Sequence, residues 1–127
     1  AQCITSAKIM SDGGKLSIYY SITKDGIKEL KNLMHKSFSS NPLQFMSDAR
    51  IKLSCMSVLD NDECEEVYID IKTNALKHKL NAEKTLNDEY TPLTFFQKVV
   101  LDNAICEYKN FITLVEGLEK NNARNSK

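Results

Sequence analysis

The residues able to carry chemistry are few, and their spacing does not gather them. His35 and His78 are the only histidines in the 127-residue chain, and neither has a carboxylate or cysteine at metal-ligand spacing. His78 falls near the apolar side of a predicted helix, where a histidine is expected to be satisfied or solvated. Glu63, Glu65 and Glu66 cluster, but at a predicted helix start, where capping and the helix dipole account for them without acid–base work. No glycine-rich phosphate loop, nucleophile elbow or HExxH motif occurs. Cys3, Cys55, Cys64 and Cys106 form no CxxC pair and fall on apolar positions, as expected of buried small hydrophobes in a reducing cytosol. The pattern points away from an enzyme, a metal site and a cofactor.

Binding is a better fit to the residues present. Ser11-Asp12-Gly13-Gly14 separates two short apolar runs, and Asp-Gly in that setting signals a β-hairpin, because glycine supplies the positive φ of the turn. Lys8 and Lys15 flank the tip. Lysines on an extended hairpin suit contact with a nucleic-acid backbone, which positions a protein without reading sequence. Net charge is zero, but the distribution is uneven. Up to residue 40, Lys8, Lys15, Lys24, Lys28, Lys31 and Lys36 outnumber Asp12, Asp25 and Glu29, whereas acidic residues exceed basic ones over 41–91. A positive hairpin end on an acidic body is compatible with a DNA-facing end.

The elements that must position these residues follow from periodicity. A strand over about Cys3 to Met10 and a second ending at Ile22 make the hairpin, and Tyr19 and Tyr20 point to opposite faces of the second strand. Thr23 is a helix N-cap, so the strand runs straight into a helix with an Ile27, Leu30, Leu33 and Met34 stripe, ending near Ser37.

The stretch Tyr19-Tyr20-Ser21-Ile22-Thr23-Lys24-Asp25-Gly26 resembles the end of the wing in PadR-type winged-helix transcriptional regulators, whose signature Tyr-Tyr-x-Leu/Ile-Thr-x-x-Gly is matched by Tyr19, Tyr20, Ile22, Thr23 and Gly26. Ile4-Thr5-Ser6 sits where that family enters the wing. The region from Pro42 to Glu119 is similar to the family's C-terminal helical dimerisation region in its virulence-activator AphA type. The resemblance implies a DNA-binding regulator, a repressor by analogy with most of the family, which binds an inverted repeat as a homodimer. It implies Lys8, Lys15 and Tyr19 as DNA-facing residues. Some members bind aromatic or cationic hydrophobic effectors, for which Phe45, Met46, Met56, Phe95 and Phe96 are adaptable lining. The family places its recognition helices before the wing, so the sequence is expected to be the C-terminal piece of a longer regulator. Its wing often carries Gly-Arg-x-Arg/Lys-Lys, where this chain has Gly14-Lys15-Leu16-Ser17-Ile18, a less charged version.

Downstream, three more helices are expected. The second has Asn41 as cap, Pro42 at the first position and a Phe45, Ala49, Leu53, Met56 stripe widened by Met46. The third starts with an Asp60–Glu63 capping box and carries two apolar sets, Cys64, Val67, Tyr68, Ile71, Ala75 and Ala82 on one side, and Ile69, Leu76 and Leu80 on another. The fourth is read as capped by Thr91 with Pro92 at its first position. It is apolar over more than half its circumference, as in a helix buried on more than one side. The last two form an antiparallel hairpin of roughly 40 Å, with more apolar surface than a monomer of this size covers. Pairing with a symmetry mate is the economical remedy, and Val67, Ile71, Phe95, Phe96, Val99, Val100, Ile105, Tyr108 and Ile112 are the candidate dimerisation residues.

The expected organisation is therefore mainly α: residues 1–38 as wing and following helix, 39–121 as a helical dimerisation domain and 122–127 as a flexible tail. No signal peptide or membrane-spanning run occurs in the sequence, and a cytoplasmic protein is expected. The alternative reading is a helical protein-interaction or scaffold module that never touches DNA, its hairpin serving only to cap the bundle.

Overall fold

The computed structural model describes residues 4–10 and 16–125. The chain divides into two units, one up to Ser37 and one from Phe38 onward.

In the first unit, β1 (Ile4–Met10) pairs antiparallel with β2 (Leu16–Ile22), with Ile4 opposite Ile22 and Met10 opposite Leu16. The expected turn over Ser11-Asp12-Gly13-Gly14 lies outside the described residues. β2 passes through Thr23, in extended conformation, directly into α1 (Lys24–Met34). The Thr23 hydroxyl accepts from the Gly26 amide at 3.0 Å, and its carbonyl accepts from the Ile27 amide at 2.9 Å. One residue therefore ends the strand and satisfies two early donors of the helix. The helix stops at Met34, about one turn short of Ser37.

The second unit is all helical. The Asn41 side chain caps α2 (Pro42–Ser54), accepting from the amides of Leu43 and Gln44 at 2.9 and 3.2 Å, and Pro42 takes the first position. A short 3₁₀ turn over Met56–Val58 leads to α3 (Asn61–Leu86). Both halves of the expected capping box are formed: the Glu63 amide donates to Asp60 at 2.8 Å, and the Asp60 amide donates to Glu63 at 3.3 Å.

The last helix, α4 (Phe95–Asn125), begins later than its sequence suggests. The Thr91 hydroxyl is engaged elsewhere, donating to Asp88 at 2.6 Å within the connection. Thr94 takes the capping role: its hydroxyl accepts from the Gln97 amide at 3.1 Å, and its own amide donates to the Gln97 side chain at 2.9 Å. Pro92 thus sits in the connection, where its missing amide is equally harmless. At its other end α4 continues to Asn125, past the boundary at 121 where a flexible tail is expected.

Contacts between α3 and α4 run in opposite directions along the two helices. Asn61 meets Asn122, Lys72 pairs with Glu119, and His78 stacks near Tyr108. They form an antiparallel helical hairpin, with α2 laid on it. The core is Phe45, Met46 and Ala49 from α2, Cys64, Val67, Tyr68, Ile71 and Ala75 from α3, and Tyr108, Phe111 and Val115 from α4. The α3 positions follow the 3, 4, 7 spacing of one buried stripe. Among the described residues no helix is long and apolar enough to cross a membrane.

Candidate functional site

The residues expected to contact DNA and a second protomer fall on two parts of the chain, the hairpin and the helical unit. On the hairpin, Lys8 stands opposite Ile18 and Tyr19 opposite Ala7 in the ladder. Lys15 lies outside the described residues. What the fold supplies is their placement: a two-stranded ribbon whose second strand feeds without a loop into the Thr23-capped helix.

On the helical unit, the nine candidate dimerisation residues separate into two groups. Val67, Ile71, Ile105 and Tyr108 are buried within the chain itself, and Ile112 packs against the same core. The first four side chains are committed to the core of this chain, while Ile112 is partly exposed. Phe95, Phe96, Val99 and Val100 are the opposite case, being 72%, 76%, 47% and 67% exposed. They occupy the first turns of α4, with the rings of Phe95 and Phe96 edge to face at 5.5 Å. Spacing of one, four and five residues makes this a single apolar band along the helix. Phe96 and Val100 also border an open cleft of about 440 Å³ with Leu93 and Leu101. Ile69, Leu76 and Leu80 leave a further exposed stripe on α3, the second apolar set legible in its sequence. Large exposed apolar patches of this kind are candidate interaction surfaces.

The five residues proposed to line an effector pocket do not converge. Phe45 and Met46 are core residues, Met56 packs against that core, and Phe95 and Phe96 stand exposed at the start of α4.

Three groups were not singled out for the environment they occupy. Lys52, in α2, is buried with its ammonium 4.0 Å from the centroid of the Phe38 ring. Burial pushes its pKa down, and the charges of Asp70 and Asp48 partly offset this. Phe38 meets Phe45 edge to face at 4.9 Å, Phe45 meets His78 at 5.0 Å, and His78 lies nearly parallel to Tyr108 at 5.8 Å. These rings form a continuous column from the segment before α2, across α3, to α4. His78 is therefore a buried ring packed between Phe45 and Tyr108. Burial, aided by the charge of Lys77, lowers its pKa, and Nε2 is buried with no hydrogen-bond partner among the described residues. Its position on the buried stripe, seven residues beyond Ile71, was the available signal.

Of the cysteines, Cys64 is buried, and its thiol lies 3.7 Å from the Met56 carbonyl oxygen. Burial raises its pKa, and the charges of Asp60 and Glu63 raise it further, which suits an unreactive core thiol. Cys55 is half-buried, whereas Cys106 is exposed, so the expectation of buried cysteines fails for Cys106. Its apolar neighbours in sequence, Ile105 and Tyr108, take the inward positions of α4 and turn it outward. Among the described residues no three His, Cys, Asp or Glu side chains gather as metal ligands would.

No protein-family model, curated protein or solved structure matches the chain.

Proposed function

We propose that this chain is the wing and dimerising helical region of a DNA-binding transcriptional regulator of the PadR-like class, a repressor acting as a homodimer. The observation that carries the reading is the unbroken run of β2 into the Thr23-capped α1, within the stretch Tyr19 to Gly26. A wing followed directly by a helix suits this reading, and Thr23, the residue next after β2, caps α1 with no linker between them. The exposed band of Phe95, Phe96, Val99 and Val100 on a long helical hairpin supports the dimer, since an isologous contact there would bury one patch against its own copy. In this reading, wing lysines position the protein on phosphate.

The test is a fluorescence-anisotropy titration against DNA from upstream of the gene, at moderate salt. It compares this chain with the product of the whole open reading frame. Tight, sequence-dependent binding by the longer protein, and weak binding by this chain, is the expected result. Salt-sensitive, sequence-independent binding by both would leave the helical interaction module as the better account, with the same exposed band as its partner surface.

A further inference from the structure

The outward face of α4 has a symmetry about Cys106 that packing within the chain does not call for. Phe95 and Val99 stand eleven and seven residues before Cys106, and Gly117 and Thr113 stand eleven and seven after it. Seven residues make about two helical turns and eleven about three, so these five share one face. All five are exposed, while Ile105, Tyr108 and Val115 take the core side of the helix. Gly117 lies inside α4, and a side chain built there would meet nothing within 4 Å in its own chain. Glycine is a poor helix residue, and one use of it is to let another group come close. This chain supplies no such group.

The charges beside that face alternate in sign. Lys98, Asp102, Lys109 and Glu116 run along one edge, all exposed, and none makes an ion pair among the described residues. Laying α4 antiparallel on its own copy, with a two-fold axis at Cys106, brings like edges together in reversed order. Asp102 then falls level with Lys109 of the second copy to within one residue, and Lys98 with Glu116 to within two. Each match occurs twice by symmetry. Phe95 comes over Gly117, bulk against space, and Val99 meets Thr113. On the other edge Phe96 comes beside Leu114, which is 51% exposed. A parallel pairing sets every residue level with its own copy and loses these matches. We propose that α4 forms an antiparallel helix pair with α4 of a second copy of this chain, centred on Cys106, with Asp102 and Lys109 paired across the axis. A small side chain at that point lets the two helices approach. The pairing deepens the homodimer proposed above and rests on that part of the reading, not on DNA binding.

Bismaleimidoethane, a short reagent that joins two thiols, is added to the native chain, and the products are digested and weighed by mass spectrometry. A Cys106–Cys106 peptide is expected as the main crosslinked product, and a residue linked to itself joins two chains by necessity. Analytical ultracentrifugation then compares variants. Asp102→Lys and Lys109→Asp should each weaken the dimer about tenfold, by setting like charges together at two places. The double variant should recover affinity to within about twofold of the native chain. The two residues lie about 10 Å apart along one helix, too far to pair within a chain, so recovery reports the contact between copies. Gly117→Leu should keep its helical circular dichroism, since the space is open in its own chain, yet block Phe95 and sediment as a monomer. A native chain that sediments as a monomer at high micromolar concentration overturns this pairing and the homodimer together. A native dimer without the Cys106–Cys106 link, or one indifferent to both charge reversals, overturns the pairing alone and leaves the homodimer to another face. The two native-chain measurements hold even where a variant fails to fold.

Discussion

The ammonium of Lys52 sits 4.0 Å from the centroid of the Phe38 ring, a buried cation held against an aromatic face at the end of the ring column. Desolvation strengthens such a contact, which then contributes on the order of 1–2 kcal/mol. Lys52→Met retains the stem and removes the charge, while Phe38→Leu removes the ring. A double-mutant cycle in urea should give a coupling of about 1 kcal/mol. Additive effects would mean that Lys52 is held by Asp48 and Asp70 alone.

His78, further along the same column, makes stability depend on pH in a stated direction. Burial, then the neighbouring Lys77, holds its pKa below the ordinary 6.5. The unfolded chain therefore binds more protons than the folded one in the window below 6.5, and stability rises with pH there. The contribution of the neutral imidazole is complete above that value and is lost as pH falls through the lower, folded-state pKa. Urea midpoints of the native chain should drop between neutral and mildly acidic pH. His78→Phe should flatten that part of the difference, leaving only the background of the other titrating groups.

Much of this fold is legible in the sequence because the strongest local signals happen to agree with the packing. Thr23, Asn41 and the Asp60–Glu63 pair each stand immediately before an apolar stripe, and each caps the helix predicted for it. Thr91 carries the same signal and fails, because Asp88 three residues earlier captures its hydroxyl while Thr94 finds Gln97 three residues later. Two Thr residues compete for one helix start, and only the folded connection decides between them. Burial was less legible. The apolar residues of α4 were expected to be buried on more than one side, yet the chain covers only the face carrying Ile105, Tyr108, Phe111 and Val115. Periodicity identifies a face, but not whether the same chain or another molecule covers it. Lys52 and His78 were hidden for a related reason: a polar residue on a helix reads as solvated until its neighbours from other elements are known.

The cap assignment has a direct check. Asp60→Ala and Thr94→Ala should each cost about 1 kcal/mol, the usual worth of a helix N-cap. Thr91→Ala should cost less, since it removes a hydrogen bond in an exposed connection and leaves α4 capped. Thermal melts of the three variants would rank them, and a Thr91 variant less stable than the Thr94 one would restore the earlier helix start.

The two groups of candidate dimerisation residues should respond oppositely to substitution. Phe96→Glu places a charge in the exposed band at the start of α4, where no intrachain core depends on it. If that band is the dimer interface, the variant should elute as a folded monomer with its helical circular dichroism unchanged. Ile71 is fully buried, and Ile71→Ala should instead cost roughly 3 kcal/mol of stability, while leaving the band intact. Light scattering and urea denaturation together separate the outcomes. A native chain that stays monomeric at high micromolar concentration would sink the dimer outright.

The wing makes the final distinction, because phosphate contacts and sequence-reading contacts leave different traces. Lys8 stands in β1 opposite Ile18, on a ribbon that continues through Thr23 into α1. A lysine that neutralises one phosphate releases about one counterion, so its removal lowers the salt-dependence slope by about 1 and weakens binding alike on all sequences. If the proposed reading holds, Lys8→Ala and Lys15→Ala, made in the product of the whole open reading frame, should each show that signature and leave the ratio of specific to non-specific affinity unchanged. A substitution that altered sequence preference would assign the wing to base contact. An unchanged salt slope for both would remove the hairpin from the interface. The measurement is the slope of log affinity against log salt concentration for each variant on operator and unrelated DNA.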